Sequence, residues 1–519
     1  MAIPDHPWTK ATERAAAVRI AMTVAAKGRH EGVLRTVIRE AKLDTDQPEI
    51  ELSTTVSRIN ADLTIGSDVS AAGALTANEG LSSPGVKLHG DGFIVTPQEA
   101  EALGLGKRAN LEKHIRQYRN GRDLTATPRG VMVIDLFGLD SEDVRRRFPE
   151  VYQRLIQTVK FDREAQHAKS PTRDAAEYLG RWWTHGKPRQ ELRAALAGLQ
   201  RYIATAETSK HRTFQFLDAE LLPDNSLVCI GLDDAFSLGV LSSRVHVTWA
   251  LRAGGWLGVG NDPRYSKSRC FDPFPFPGCS EALKVKIGSV AEELDAHRKA
   301  RRADYPNVTV TQMYNVLETL RVGGALDPDE ERVKDQGLVL ILNELHDRLD
   351  ALVLEAYGWP ATLSRADILE KLVALNKARA DEEKAGTVRW LRPDYQIPRF
   401  GSDAEKARLV EQRRKARETE KLRPRQGALG LDDDLREMTP ADTGKPKFPT
   451  GDELAETVAV TRVLTTATAP LTIDEVCRHF AQGRQIEKRV ALTVQALARL
   501  GQLSSPDGFS YVFRQMVAG

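Results

Sequence analysis

The stretch NDPRYSKSRCFDPFPFPG, residues 261–278, ends in three prolines that alternate with phenylalanine, directly after a cluster of basic side chains. Proline fixes its own φ, lacks an amide donor and keeps the preceding residue extended. The sequence therefore predicts neither a helix nor a central strand here. We interpret residues 271–278, called the strap below, as a rigid connection between two folded parts. An ordered surface loop is an equally good interpretation from the sequence alone.

The apolar periodicity changes across the strap. Before it, residues 96–278 contain short apolar runs separated by Gly and Asn turns and by helical patterns, which predicts a mixed α/β domain. After it, residues 279–401 predict a module of antiparallel helices. Its apolar stripes are Leu283, Ile287, Val290 and Leu294, and then Leu338, Ile341, Leu345, Leu349, Leu352 and Ala356.

The two ends of the chain have different patterns. Residues 1–95 alternate short apolar pieces with Gly and Ser, which predicts strands with a core too small to stand alone. Residues 402–450 predict a charged helix and a linker. Residues 451–519 predict two helices and a two-stranded wing, which is typical of a winged-helix-like domain. The expected fold is thus a mixed α/β multidomain protein.

Composition excludes several classes of protein. In 519 residues, 74 Lys and Arg nearly balance 72 Asp and Glu, so a nucleic-acid-binding face has to be local. The stretch MAIPDHPWTKATER, residues 1–14, lacks the apolar core of a signal peptide, and no apolar run is long enough for a membrane span. We expect a soluble, cytoplasmic protein without a metal site. Its cysteines show no metal-binding spacing and are expected to be reduced thiols: Cys229, Cys270, Cys279 and Cys477.

A search for catalytic motifs gives no candidate. The glycine-rich pieces LGLGK (residues 103–107) and GVGNDPR (residues 258–264) match no phosphate-binding loop, and both favour turns. The chain contains neither GxSxG nor HExxH. NDPRY has an arginine where the methyltransferase signature has its second proline. We therefore predict no catalytic and no cofactor-binding residue.

Basic clusters are the better candidates for function. Arg can present two donors to guanine, Asn can pair with adenine, and Lys or Arg can bind phosphate oxygens. A single such cluster is more often ordinary solvated surface. The candidate DNA contacts are Arg119, Asn120 and Arg122 on a predicted Asn-Gly turn; Lys210, His211 and Arg212; Arg264, Tyr265, Lys267 and Arg269; and Arg484, Lys488 and Arg489 on the second helix of the tail.

Several long segments carry a family resemblance. They are FPEVYQRLIQTVKFDREA (148–165), WWTHGKPRQELRAALAGLQRYIAT (182–205), TSKHRTFQFLDAELLPDNSLVCIGLDDAFSLGVLSS (208–243), GVGNDPRYSKSRCFDPFPFP (258–277), YGWP (357–360) and RWLRPDYQIPRFG (389–401). Over about residues 1–401 the chain resembles the carboxy-terminal half of adenine-specific DNA methyltransferases. These are the MmeI-like enzymes of type IIL restriction systems and their phage-defence relatives.

The resemblance implies a division of roles. In that family a Rossmann-like domain binds S-adenosylmethionine and carries an Asn-Pro-Pro-Tyr site, and a target recognition domain and helices follow. The start of this chain, MAIPDHPW, resembles a point after that site, so residues 1–95 are expected to be the last strands of a methylase sheet. We expect a double-stranded-DNA-recognition portion of an N6-adenine methyltransferase. A catalytic subunit or a missing amino-terminal half would bind S-adenosylmethionine.

Two other functions remain open from the sequence. The first is a non-enzymatic DNA-binding regulator built around the winged helix, which predicts specific binding by residues 450–519 alone. The second is a scaffold of a defence complex, in which the basic clusters are ordinary surface.

Overall fold

The computed structural model describes residues 1–7, 19–28, 30–43, 45, 47–257, 262–422, 445–449, 453–467, 470–499, 503–504 and 510–513. The chain divides into two compact units, Met1–Arg417 and Glu418–Gly519. Each unit is described by itself. The finer domain limits expected from the sequence remain predictions.

The described strands form small sheets. Their bounds are β1 Ala2–Pro7, β2 Arg19–Thr23, β3 Gly32–Ala41, β4 Glu49–Ser57, β5 Ser82–Pro84, β6 Ile94–Val95, β7 Ile115–Arg119, β8 Met132–Ile134, β9 Arg201–Ala206, β10 Gln215–Asp218, β11 Leu222–Pro223, β12 Leu227–Ile230, β13 Gly255–Leu257, β14 Asp262–Arg264, β15 Leu471–Thr472, β16 Leu503–Ser504 and β17 Ser510–Phe513. The strand orders are β2-β1-β3-β4, β10-β9-β12-β5, β11-β7-β8-β6, β13-β14 and β15-β17-β16.

The longest of the described α-helices lie after the strap. Their bounds are α1 Pro97–Ala102, α2 Gly121–Thr125, α3 Ser141–Arg147, α4 Pro149–Leu155, α5 Phe161–Lys169, α6 Arg173–Gly180, α7 Gln190–Leu196, α8 Ala235–Ser242, α9 Arg244–Ala253, α10 Glu281–Asp304, α11 Val310–Arg321, α12 Pro328–Gln336, α13 Val339–Ala356, α14 Arg365–Lys384, α15 Pro393–Phe400, α16 Asp403–Leu422, α17 Glu453–Thr466, α18 Ile473–Arg478 and α19 Glu487–Arg499.

The first sheet, formed by β1 to β4, has little core of its own. β3 pairs antiparallel with β4 along most of its length and parallel with β1. No residue of β2, β3 or β4 is buried, and Ile38 and Val56 are more than half exposed. Both faces of these three strands are therefore largely open.

The sheet with order β10-β9-β12-β5 is the centre of the larger unit. In β9 only the first residue is not buried, and every residue of β12 is buried. Near-continuous apolar strands are typical of a sheet that is covered on both faces. The hydrophobic core that contains Ile203 and Val228 of this sheet also contains Ile287 of α10 and Leu349 of α13. The sheet and the helices after the strap thus share one core.

Two predicted helical patterns differ in the structure. The apolar spacing from Val144 to Val159 predicts one helix. The structure interrupts it at Phe148, because Pro149 begins a new helix and Phe148 takes φ −134°. In the second case, the predicted stripe of α13 is only partly buried. Ile341 is 46% exposed, whereas Leu342 and Val353 are fully buried. The prediction is one residue too early only at Leu338 and Ile341, whereas Leu345, Leu349 and Ala356 are buried as predicted.

The strap is buried, so the surface-loop interpretation is wrong. Residues 273–277 are all buried, and the ring of Phe274 is completely covered. The side-chain nitrogen Nδ2 of Asn78 donates to the carbonyl oxygens of Phe271, Asp272 and Phe274 at 2.8–3.0 Å. Tyr357 donates its hydroxyl to the carbonyl of Pro275 at 2.8 Å. Remote side chains thereby satisfy carbonyls that an extended, sheet-free segment would otherwise leave without donors.

Replacing Asn78 with Ala tests whether the strap depends on these hydrogen bonds. We expect the free energy of unfolding to fall by about 3 kcal/mol, because buried carbonyl oxygens lose their donor. Urea unfolding followed by circular dichroism measures the change. The matched control is Asn307→Ala, at an exposed asparagine before α11. Equal stability of the two variants would contradict the role given to Asn78.

Candidate nucleic-acid interface

Three of the four predicted basic clusters meet beyond the carboxyl end of β9. Ser226 connects the first two: its hydroxyl accepts from the amide of Gly121 at 2.9 Å, and its carbonyl accepts from the amide of Glu207 at 2.7 Å. A Cβ on Gly121 would lie 3.4 Å from the Cβ of Ala206, the last residue of β9. Residues 119–122 and 207–212 are therefore neighbours in space.

The third cluster pairs with the second through the backbone. The amide of Ser209 donates to the carbonyl of Pro263 at 3.3 Å, and the amide of Tyr265 donates to the carbonyl of Glu207 at 2.6 Å. Together, residues 119–122, 207–212 and 262–269 form what we call the basic surface. These segments are far apart in the sequence, and the structure brings them together.

Three cations of the basic surface are available for binding. Arg122, Lys210 and Arg269 are exposed, and their side chains form no hydrogen bond or ion pair within the described part of the chain. Arg119 is partly buried beside Arg302. The pKa of Arg302 is lowered, first by burial and then by the charge of Arg119. Positive charge is thus concentrated here, and an anion would relieve the repulsion.

Two further predicted cations, exposed Arg264 and half-buried Lys267, are paired with carboxylates. The guanidinium of Arg264 donates to Glu207 at 2.7 and 2.9 Å, and the ammonium of Lys267 lies 2.9 Å from a carboxylate oxygen of Asp272. Largely exposed ion pairs contribute about 0–1 kcal/mol, so Arg264 can exchange Glu207 for a phosphate at small cost. Asp272 is mostly buried and burial raises its pKa, so Lys267 is held more firmly by its carboxylate.

Arg212 and Tyr265 lie inside the protein, which corrects their predicted place on a binding surface. The Arg212 side chain donates to the Thr205 hydroxyl at 3.0 Å, to the carbonyl of Pro263 at 2.9 Å and to the carbonyl of Ala206. Burial lowers the pKa of Arg212 to about 10, so it stays charged at neutral pH. Its guanidinium lies over the ring of Tyr265. These two residues hold the loops together and do not face solvent.

The core behind Tyr265 completes this support. Its hydroxyl lies 2.9 Å from Nε2 of His246, which is also buried. Burial, together with the charge of Arg212, lowers the pKa of His246 to about 3. The imidazole is therefore neutral, and its Nε2 shares a hydrogen bond with the Tyr265 hydroxyl. The loop of residues 207–212 is thus anchored to α9 through a chain of buried polar groups.

His211 and Asn120 also have structural partners. Nε2 of His211 lies 2.7 Å from Oδ1 of Asn315, which connects the loop to α11. Asn120 does not form the predicted Asn-Gly turn. Its side chain accepts from the amide of Asp123 at 3.1 Å, and the Asp123 carboxylate accepts from the amide of Asn120 at 2.8 Å. This capping box begins α2, so the side-chain oxygen of Asn120 is already occupied.

The fourth cluster lies in the smaller unit. There α17, α18 and α19 pack around a core that includes Val490 and Val494, both completely buried. Lys488 is exposed, and Arg489 lies 3.2 Å from a carboxylate oxygen of Glu456. The side chain of Arg484 lies outside the described residues. The winged-helix assignment, like the DNA contacts of this cluster, remains a prediction.

Two positioning residues were missed by the sequence analysis. Ser226 binds Gly121 across a separation of 105 residues. Arg302, on α10, donates to the carbonyls of Leu124 and Ala126 at the end of α2, across more than 170 residues. No local pattern marks such pairs, because the partners lie more than 100 residues apart in the sequence.

Other kinds of site have no support in the described residues. Within them, no group of three or more His, Cys, Asp or Glu side chains is placed to hold a metal ion. None of the helices described is long and apolar enough to cross a membrane.

The fold and the basic surface together define a class: an α/β domain that presents cations from converging loops, backed by a helical module. Residues 81–278 match the family model described as MmeI, target recognition domain. The Type IIL restriction-modification enzyme MmeI, solved in complex with DNA, has a similar fold. Its TM-score is 0.53 at 20% sequence identity, over 73% of this chain and 46% of that chain. The resemblance to MmeI-like enzymes is thereby confirmed.

Curated relatives match over shorter stretches. DNA methyltransferase A of Bacillus subtilis (strain 168) is 26% identical over 157 residues, 30% of this chain and 15% of that protein. Alanine--tRNA ligase of Bdellovibrio bacteriovorus is 31% identical over 121 residues, 23% of this chain and 12% of the ligase. The chain therefore spans less than half of the MmeI chain and less than a sixth of either curated relative.

Substitutions of Arg212 and Arg122 should distinguish an arginine that supports the loops from one that is available for binding. Arg212→Ala is expected to lower the free energy of unfolding by about 3 kcal/mol, because it leaves buried acceptors unsatisfied and opens a cavity. Arg122→Ala is expected to change it by less than about 0.5 kcal/mol. Urea unfolding measures both variants. If the urea concentration at the unfolding midpoint is unchanged in Arg212→Ala, the supporting role is wrong and Arg212 is again a candidate DNA contact.

Proposed function

We propose that this chain is the DNA target-recognition portion of a site-specific DNA methyltransferase that acts in restriction–modification or phage defence. The observation that carries the proposal is the convergence of Arg122, Lys210 and Arg269, exposed and without partners among the described residues, at the end of a buried sheet. All three lie within residues 81–278, the segment that matches the target recognition domain family.

The geometry suits two kinds of contact with a duplex. Lys210, in an exposed loop, is placed for a phosphate, which would release counterions and make binding depend on salt. Arg122 lies in the first turn of α2, and its guanidinium can present two donors to guanine O6 and N7. Each such bidentate contact is worth about 1–3 kcal/mol of discrimination against the wrong base. If these clusters were ordinary solvated surface, neither salt-dependent DNA binding nor discrimination between bases would depend on them.

A binding selection with the full chain tests this proposal. The chain is expected to enrich one sequence from a duplex library with a randomised centre. Arg122→Ala should then relax preference at one base position, whereas Lys210→Ala should weaken all sequences alike and reduce the salt slope by about 1. Lys286→Ala, at an exposed lysine on α10, is the matched control. If the full chain enriches no sequence, or if residues 450–519 alone reproduce the selected site, the proposal is wrong.

We propose further that methyl transfer is carried out by a separate catalytic portion. That portion would bind S-adenosylmethionine, contain the Asn-Pro-Pro-Tyr site and modify N6 of adenine in the cytoplasm. The first sheet supports this view, because β2, β3 and β4 have no buried residue and expose Ile38 and Val56. We propose that the remaining strands of the methylase sheet pack against β1 to β4. The adenine would be extruded into the pocket of that portion.

Methyl-transfer assays with labelled S-adenosylmethionine test the division of labour. The full chain alone is expected to transfer no label to duplex DNA. Addition of the product of a neighbouring reading frame with glycine-rich and Asn-Pro-Pro-Tyr motifs should give label at adenines within the selected site. An inactivated partner, with the Asn of that motif changed to Ala, is the control. Transfer by the chain alone would refute the proposal of a separate catalytic portion.

A further inference from the structure

Two exposed lysines lie directly opposite each other in the α/β domain. Lys87 and Lys187 form an antiparallel bridge, in which the backbone amide of each residue donates to the carbonyl of the other, at 3.0 and 2.9 Å. Directly opposite residues have Cβ atoms about 5 Å apart, and like charges in this arrangement are destabilising. Both side chains are exposed, and within the described residues neither ammonium group forms a hydrogen bond or an ion pair.

The positive charge of this lysine pair acts on the neighbouring His89. Burial lowers the pKa of His89, and the charges of Lys87, Arg163 and Lys187 lower it further, whereas the opposing charge of Asp174 has a smaller effect. Positive charge therefore exceeds negative charge around the pair. An anion placed between the two ammonium groups would relieve their repulsion.

The lysine pair lies at the same end of the sheet as the start of the basic surface. β11 pairs parallel with β7, and Val86 pairs parallel with Asp224, the residue after β11. Residues 86–87 therefore run beside β11 in the same direction as β7, and Lys187 lies on their far side. Because parallel segments end at the same edge, the pair shares an edge with α2, which follows β7 and carries Arg122.

The spacing of these segments fits one backbone of a duplex. Neighbouring strands lie about 4.8 Å apart, so the two lysines lie about 10–15 Å from the end of β7. The major groove of B-DNA is about 12 Å wide. When Arg122 is in the groove, a phosphate backbone that borders the groove is therefore within reach of both lysines.

The backbone that carries the lysines is held from inside the protein. Arg163, which is almost completely buried, donates to the carbonyls of Leu88 and His89, each at 3.0 Å. Arg181 donates to the carbonyl of Gly186 at 2.7 Å. A Cβ on Gly186 would lie 2.3 Å from Cδ2 of His89, so the two segments approach this closely only with glycine there. Binding therefore has to order only the lysine side chains.

We infer that Lys87 and Lys187 form a clamp that holds one backbone phosphate of the duplex between their ammonium groups. This inference rests on the proposed function and deepens it. The phosphate replaces the repulsion between the lysines with two charge-assisted hydrogen bonds. Phosphate contacts carry no sequence information, but they fix the register of a protein on the duplex. The clamp thus determines which base pair Arg122 meets.

The test uses the full chain and the duplex enriched in the binding selection, with single phosphates replaced in turn by neutral methylphosphonates. For wild type, replacement of one phosphate is expected to weaken binding about tenfold. The double variant Lys87→Ala/Lys187→Ala should bind the unmodified duplex about tenfold more weakly and no longer respond to that replacement. Each single variant should respond less than wild type at that same phosphate. The double variant should also reduce the salt slope by about 1, because one phosphate is no longer neutralised.

Lys113→Ala is the matched control, because Lys113 is an exposed lysine just before β7, at the opposite end of the same sheet. It should leave the affinity and the response to every methylphosphonate unchanged. The clamp is wrong if the double variant keeps wild-type affinity or the wild-type response at every phosphate. It is also wrong if the two lysines prove sensitive to different phosphates. In these cases DNA recognition remains intact, whereas failure of wild type to bind any duplex would refute the proposed function and the clamp with it.

Discussion

The larger unit depends on how a buried, proline-rich segment satisfies its backbone. The strap cannot join a sheet because its prolines lack amide donors, yet its phenylalanines place it in the core. Its carbonyls therefore need donors from side chains. Asn78 reaches it from before the central sheet, Tyr357 from the end of α13 and Asn376, which donates to Pro273 at 2.6 Å, from α14. One segment thus ties together three regions that are remote in sequence.

The basic surface is attached to the same core. Trp249 donates its indole N–H to the carbonyl of Cys270, just before the strap, and α9, which carries Trp249, also carries His246 behind Tyr265. Arg212 then fixes the loops from inside. The exposed cations consequently extend from a support whose position the core determines, so little ordering remains to be done when an anion binds. Substituting Arg212, Tyr265 or His246 would therefore disturb the basic surface, although none of these buried residues is placed to contact a ligand.

Local features of the fold were predictable, and long-range ones were not. The apolar run of residues 32–41 became β3, and Thr96 with Glu99 forms the capping box that its spacing predicts. Asn120 was misread although the signal was present: an acidic residue three positions later favours a helix start over a turn. Arg212 had no such signal. It lies two residues from exposed Lys210 in one basic run, and its burial depends on Pro263, 51 residues away.

The charge balance constrains how such a surface works. With a net charge of only +2 over 519 residues, the chain has no strong long-range field to attract a polyanion. Of the cations on the basic surface, Arg212 is used internally and Arg264 and Lys267 neutralise carboxylates. The attraction available at a distance is therefore small and screened within about 10 Å at ordinary salt. Affinity then has to come from contacts made at close range, where the rigidity of the loops and the shape of their exposed side chains decide which duplex fits.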